Sequence, residues 1–261
     1  MPAERFLEGQ HAIVTGASRG ISAAIAAALA RAGATLTLMG RDRQALSAIR
    51  SQLREAHGVN ATTVVCDVAS EESVRTAFAA AAAAHGAPHV LVNNAGQAEG
   101  APFAGTTRAI WDRMLAVNLT GAYLCTQQVM PAMLERGDGR IVNIASTSGL
   151  RGYRNTTAYT ASKHGLVGFT RALAAEVART RITVNAVCPA YTDTAMAERA
   201  AQAVARDLNR DEEEARAMIA RTIPRGRLIE PREVAGTVLW LCSPDASGVN
   251  GQAITVAGGD A

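Results

Sequence analysis

The sequence predicts an α/β fold: a doubly wound parallel sheet of about seven strands, helices on both faces, and a small helical lid. Three observations predict it. Short β-branched apolar runs recur along the chain, and Ala- and Leu-rich helical segments lie between them. The runs are apolar almost throughout instead of alternating with polar residues, as strands covered on both faces are. Strict alternation of β and α segments then brings right-handed crossovers.

In chain order, "HAIVTG" (11–16) is the first strand and leads through a glycine turn into a helix over 20–32. "TLTLMG" (35–40) and "ATTVVCDV" (61–68) flank a helix over 42–57. A helix over 70–85 follows; its "AFAAAAAAH" run is low in complexity, but alanine is the best helix former. "HVLVNNAG" (89–96) precedes a long helix over 107–136, and "GRIVNIAS" (139–146) precedes another over 158–179. "RITVNAVCP" (181–189), a helix over 231–242 and "QAITVAGG" (252–259) complete the pattern. No linker rich in Pro, Gly or Ser divides the 261 residues, so one unit over 1–261 is expected. Residues 190–230 break the rhythm with a charged helical stretch after the sixth strand. Inserted at the carboxyl end of a sheet, it reads as a substrate lid or as a solvated helical hairpin.

Composition narrows the function. Apolar residues make up 48% and charged residues 19%, enough for a sizeable core. Net charge is +3 with the basic residues dispersed, against the concentrated basic face that nucleic acid requires. No apolar run approaches a bilayer's width, and "MPAERFLEGQ" carries no secretory apolar region. Cys66, Cys125, Cys188 and Cys242 are widely spaced, suggesting neither a disulfide framework nor a metal site. A cytoplasmic protein is expected.

Chemistry enters at "VTGASRGIS" (14–22). Gly16 and Gly20 allow a tight turn and a close backbone approach, and the following helix offers free N–H groups to a phosphate. Spacing alone is a weak signal; the place of the motif, directly after the first strand, is the context it requires. A second motif is "AYTASK", where Tyr159 stands four residues before Lys163, one helical turn along the same face. An ammonium so placed favours the phenolate. Each residue alone has a plain structural reading; together they suggest an acid–base pair.

With "TGASRGIS" at 15–22, "NNAG" at 93–96, Asn118 in "VNLTG", Ser146 in "NIAST" and Tyr159 and Lys163 in "YTASK", the chain resembles a short-chain dehydrogenase/reductase over essentially its whole length. The resemblance implies a single-domain Rossmann-type fold and a catalytic set of Asn118, Ser146, Tyr159 and Lys163. Tyr159 would exchange the proton with the substrate oxygen, Ser146 would donate to that oxygen, Lys163 would hold the nicotinamide ribose, and Asn118 would hold a water beside Lys163. It also implies cofactor contacts at Gly16, Ser18, Arg19, Gly20, Ile21, Arg41, Asp67, Val68, Asn94, Ala95 and Gly96, and at Pro189, Thr192 and Thr194 in "CPAYTDTAM". Asp67 has a rival reading as a helix N-cap, though Ser70 suits that place better. Tyr153 and Asn155 border the substrate or shape a loop. Two positions depart from the family pattern: Ser22 replaces the last glycine of the first motif, and Ala190 replaces the glycine after Pro189.

The end of the second strand indicates the cofactor. Where NAD-specific members carry an aspartate, this chain has Gly40, followed by Arg41, with Arg19 in the glycine loop. Two guanidinium groups suit a 2′-phosphate, so NADP(H) is favoured; Asp42 keeps NAD(H) open. The expected reaction is NADPH-dependent reduction of a 3-oxoacyl thioester or similar ketone, as in the 3-oxoacyl and polyketide ketoreductases that the chain resembles. NAD-linked oxidation of a secondary alcohol or hydroxyacyl-CoA is the alternative. A non-catalytic nucleotide-binding subunit, motivated by Ser22, is opposed by the complete Asn–Ser–Tyr–Lys set. The resemblance further implies a homotetramer, or failing that a dimer, through the helices at 107–136 and 158–179 and the last strand.

Overall fold

The computed structural model describes residues 5–59 and 61–260; positions 1–4 of the N-terminal stretch and position 261 of the single expected unit lie outside them. The strands are β1 (His11–Thr15), β2 (Thr35–Gly40), β3 (Thr62–Val65), β4 (Val90–Asn93), β5 (Asp138–Ile144), β6 (Arg181–Pro189) and β7 (Ala253–Val256). They form one parallel sheet in the order β3-β2-β1-β4-β5-β6-β7. The helices are α1 (Ile21–Arg31), α2 (Arg43–His57), α3 (Glu71–His85), α4 (Arg108–Leu115), α5 (Gly121–Arg136), α6 (Thr157–Glu176), α7 (Ala195–Leu208), α8 (Glu212–Arg221) and α9 (Pro231–Cys242).

Successive strand residues point to opposite faces, so an unbroken apolar run feeds two cores at once. Val14, Leu36 and Leu38 pack with Ile25, Leu29 and Val238 of α1 and α9. Their neighbours Ile13, Met39 and Leu91 pack on the other face with Phe78 of α3 and Val129 and Met133 of α5. The expectation of strands covered on both faces holds for the centre of the sheet. At the edges burial is only partial: β3 and β7 hold no fully buried residue, because each has a neighbour strand on one side alone.

Helix limits follow local chemistry. Asp42 caps α2 by accepting from the Gln44 and Ala45 amides, both at 3.0 Å, and left-handed Gly58 ends it. Ser70 caps α3, and the reciprocal Glu230/Glu233 box with Pro231 at the first position starts α9. The segment read as one helix over 107–136 is two, α4 and α5, joined by a π turn over Ala116–Thr120 that contains Asn118. Such turns widen the backbone ladder locally and recur at functional positions.

Strand order reverses between β1 and β4, which opens a crevice at the carboxyl ends of the strands. The 190–230 stretch lies over that end as α7 and α8. Its two ends are joined by a bridge between Thr192 and Ile229 and by Arg216 pairing with Asp193 at 2.9 Å.

Candidate active site

The glycine loop follows β1. Gly16 has φ +63°, and a Cβ there would sit 2.7 Å from the Ala95 Cα, so only glycine lets this loop meet the "NNAG" loop after β4. Thr15, not singled out in the sequence, ties the two together. Its hydroxyl oxygen accepts from the Asn94 and Ala95 amides, both at 3.1 Å, while Asn94 Nδ2 donates to the Thr15 carbonyl at 3.1 Å. Ser18, Arg19, Gly20 and Ile21 complete the turn into α1, whose first-turn N–H groups have no intrahelical acceptor. A backbone cradle too tight for a Cβ, closed by a helix N-terminus, fits a pyrophosphate. Gly20 also lies under the β6–α7 connection: a Cβ there would be 3.0 Å from Thr194 Cγ2.

Ser22 does more than fill a glycine's place. Its side chain is fully buried, and its Oγ lies 2.7 Å from the Gly16 carbonyl and 2.9 Å from the Arg19 carbonyl, which share its one proton. The hydroxyl points inward and pins the loop from behind, leaving the phosphate side open.

On the β2 side, the Ala17 amide donates to the Met39 carbonyl at 2.9 Å, which sets the end of β2 beside the glycine loop. Arg19 and Arg41 are exposed there, and among the described residues neither pairs with a carboxylate. Asp42, the residue that kept NAD(H) open, is committed to capping α2. Asp67 accepts from the Ala69 amide at 3.0 Å in a local turn, and Ser70 takes the N-cap as expected. The Val68 side chain packs into Gly121, 2.8 Å from where a Cβ would be, so Val68 presents backbone to the crevice.

Ser146, Tyr159, Lys163 and Asn118 converge where β4, β5 and α6 meet. A Cβ on Gly149 would stand 2.8 Å from the Lys163 carbonyl, so the turn after β5 lies directly on α6 and carries Ser146 to Tyr159. The Ser146 oxygen accepts from the Ser148 amide at 3.1 Å, which leaves its O–H free to donate outward. Burial pushes the Tyr159 phenol above its ordinary value, with Ser146 beside it pulling the other way. That is opposite to the lowering expected from Lys163. Burial acts on the lysine too and brings it down to about 8. For both groups burial is the largest influence, and it disfavours the charged form.

Lys163 is 4% exposed; its Nζ donates to the Ile144 carbonyl at 2.7 Å and stands 5.8 Å from the Tyr159 ring centroid. A Cβ on Gly96 would lie 3.7 Å from that Nζ and 3.4 Å from Asn118 Oδ1, so Gly96 forms the wall between them. Asn118 does not offer its side chain to a water. Its Oδ1 accepts from the Gln97 amide at 2.8 Å, and its Nδ2 donates to the Gln97 carbonyl at 2.9 Å and to Ser162 Oγ at 3.0 Å. Ser162, which sequence reading passed over, donates onward to the Tyr159 carbonyl at 2.7 Å. Asn118 therefore joins the loop after β4 to the helix that bears the tyrosine.

On the substrate side, the Tyr153 hydroxyl is already engaged, 3.0 Å from Thr147 Oγ1 and 2.8 Å from Arg151 Nε. Asn155 has a positive φ of 60° and accepts from the Ala101 amide at 2.7 Å, a loop-shaping role. Pro189 ends β6; Thr192 donates to the Ala190 carbonyl at 3.0 Å and Thr194 to the Thr192 carbonyl at 3.2 Å, shaping the turn above the glycine loop. Among the described residues no group of three or more His, Cys, Asp or Glu is placed to hold a metal ion, and no helix is long and apolar enough to cross a membrane.

Comparison with known proteins bears on this arrangement. The family profile described as "Enoyl-(Acyl carrier protein) reductase" matches residues 16–260. A Streptomyces violaceoruber protein of the granaticin polyketide synthase, named as a ketoacyl reductase, is 44% identical over 95% of this chain and 92% of its own. The 3-oxoacyl-acyl-carrier-protein reductase FabG of Aquifex aeolicus is 38% identical over 97% of this chain and 98% of its own. Among solved structures, a variant of the actinorhodin polyketide ketoreductase with NADPH superposes with a TM-score of 0.94 at 43% identity, covering 96% of this chain and 97% of that one.

Proposed function

This chain belongs to the short-chain dehydrogenase/reductase family, and on that premise we propose that it reduces the ketone of a 3-oxoacyl thioester with NADPH. One observation carries the reading: the Ser146 hydroxyl and a half-buried phenol that keeps its proton stand side by side, with the buried Lys163 ammonium next to the phenol. Two donors converging on one oxygen suit a carbonyl, and full-length relatives are named as ketoacyl and 3-oxoacyl reductases.

NADPH supplies hydride to the carbonyl carbon when bound. The chain's own part is binding, orientation and proton transfer. Backbone N–H groups from Ser18 to Ile21 and the start of α1 take the pyrophosphate, and Arg19 and Arg41 take the 2′-phosphate. Asp67, Val68 and the Asn94–Gly96 loop line the adenosine side; Pro189, Thr192 and Thr194 border the nicotinamide end. Ser146 donates to the substrate oxygen and polarises the carbonyl. Tyr159 gives its proton to that oxygen as it gains charge. A phenol raised by burial holds its proton at neutral pH, the form that can donate to the ketone oxygen. Lys163 has three donors and spends one on Ile144, so two remain for ribose hydroxyls. Asn118, its side chain committed, braces the loop beside Lys163. Tyr153 reaches substrate indirectly, through the wall it braces.

Residues 190–230 serve as the lid over the substrate. Tyr191, Met196 and Met218, each more than 40% exposed, give it apolar surface for an acyl chain. For assembly, the outward pair Tyr123 and Phe169 on α5 and α6, with ring centroids 6.5 Å apart, and exposed Trp240 on α9 support subunit contacts on two faces, hence a homotetramer. Light scattering on the eluted protein checks this; a monomer overturns it. Four buried free cysteines suit a reducing, cytoplasmic setting.

The test is Tyr159→Phe assayed with acetoacetyl-CoA. NADPH affinity should stay within about twofold while turnover falls by about 100- to 10,000-fold. Equal turnover in both proteins would remove the reading.

A further inference from the structure

The carboxyl-terminal tail reaches back across the substrate side of the cleft. Asp260 pairs with Arg151, and its side chain is 13% exposed. Arg151 in turn donates from Nε to the Tyr153 hydroxyl at 2.8 Å and stacks 4.9 Å above the Tyr153 ring. The Tyr153 hydroxyl directs its proton to Thr147 Oγ1 at 3.0 Å, with Asp260 Oδ2 a further acceptor at 3.4 Å. Thr147 immediately follows Ser146. Thr147, Arg151 and Tyr153 of one loop are thus linked with Asp260 in one polar cluster beside Ser146.

The residues before Asp260 are fixed from the other side. A Cβ on Gly258 would lie 2.9 Å from Ile223 Cγ2, and one on Gly259 3.3 Å from Pro224 Cβ. Ile223 and Pro224 follow α8 directly, so the tail is wedged between the end of the helical insertion and the 147–153 wall. The inner turn, Thr147–Gly149, is buried against α6, but the outer part of the wall has less to hold it: from Leu150 to Gly152 it is exposed, and it has no regular structure before α6.

We propose that Asp260 is a positioning residue for ketone binding: through Arg151 and Tyr153 it holds the 147–153 wall, and with it Ser146, at the distance that the substrate requires. An exposed ion pair alone adds little. Here one partner is nearly buried and the other is also stacked and hydrogen-bonded, so losing the carboxylate frees a long side chain and the loop it orders. The proposal rests on the ketone-reducing reading for its kinetic half and on the geometry alone for its structural half.

The experiment compares the full-length protein with Asp260→Asn, Asp260→Glu and Arg151→Gln. Hydrogen exchange is read in the 147–153 segment and in β1, NADPH affinity by fluorescence, and steady-state kinetics with acetoacetyl-CoA. Asp260→Asn and Arg151→Gln should speed exchange in 147–153 without changing β1 or NADPH affinity. They should raise KM for the thioester by about three- to tenfold, with a smaller change in kcat. Asp260→Glu should restore most of both effects. Unchanged exchange in 147–153 in either charge-removing variant overturns the proposal, as does an unchanged KM where wild type is active. If wild type reduces no acetoacetyl-CoA, the ketone reading falls, and the exchange result still decides on Asp260.

Discussion

Lys163 Nζ donates to the carbonyl of Ile144 at 2.7 Å, binding α6 to the last residue of β5. The contact keeps an ammonium in a place where 4% of the residue meets solvent. Its cost appears as a lysine that gives up its proton near 8.

A pH profile follows. Below about 8 Lys163 is charged and able to hold the ribose and assist the phenol; above it the charge is lost. For ketone reduction, kcat/KM should be level below that point and fall about tenfold per pH unit above it. Lys163→Arg keeps its charge to higher pH, so its weaker activity should decline later. A profile of the same shape in both proteins would remove Lys163 from the titration.

Arg19 and Arg41 should set cofactor choice. Replacing both with alanine should weaken NADPH by about 2–4 kcal/mol, given two charge-assisted contacts, and leave NADH within about threefold. Fluorescence titration with both nucleotides reads the difference. Equal loss for the two cofactors would mean that neither guanidinium meets a 2′-phosphate.

Ser22→Gly restores the family's usual residue, yet here it should weaken NADPH binding. The Arg19 and Gly16 carbonyls lose a buried donor, and the loop gains freedom that binding must remove. A loss of about 1 kcal/mol is expected, read as a higher KM for NADPH at constant kcat. Ser22→Thr, which keeps the hydroxyl, should recover part of it. Tighter binding by the glycine variant would contradict the role assigned to the hydroxyl.

Stability should depend on pH through the other end of the sheet. His11, 1% exposed, donates from Nδ1 to the Gly86 carbonyl at 2.8 Å and so accepts from Thr37 Oγ1 at Nε2, 2.9 Å away. Burial lowers its pKa, helped by His85 and His89, while its bond to Gly86 opposes; His89 is lowered too, by burial and by Arg136, against Asp138. Lowered bases bind fewer protons folded than unfolded, so the stability present above 6.5 is lost as pH falls below it. His11 alone should remove up to about 1.4 kcal/mol per pH unit in that window. Urea midpoints between pH 7 and 5 check this. His11→Gln should be less stable at pH 7 but flatter with pH.

The strands, most of the helices and the motifs of the candidate site were legible from sequence. Each is a local pattern: an apolar run, a cap, a glycine after a strand, a lysine one turn from a tyrosine. The split of 107–136 was not, because a π turn leaves no mark on a continuous helical composition. Nor was the half-burial of the edge strands β3 and β7, whose runs look like those of central strands until the strand order is known.

The sequence by itself therefore determined the class of fold, the order of the motifs and the residue types they carry. Only the tertiary structure decided their electrical state and their partners. It raised Tyr159 and lowered Lys163 by burial, turned Asn118 onto Gln97, set Ser22 behind the glycine loop, and brought Asp260 to Arg151 across 109 residues of chain. Desolvation and long-range hydrogen bonds depend on what the folded chain packs around a group, and no local stretch of residues encodes that.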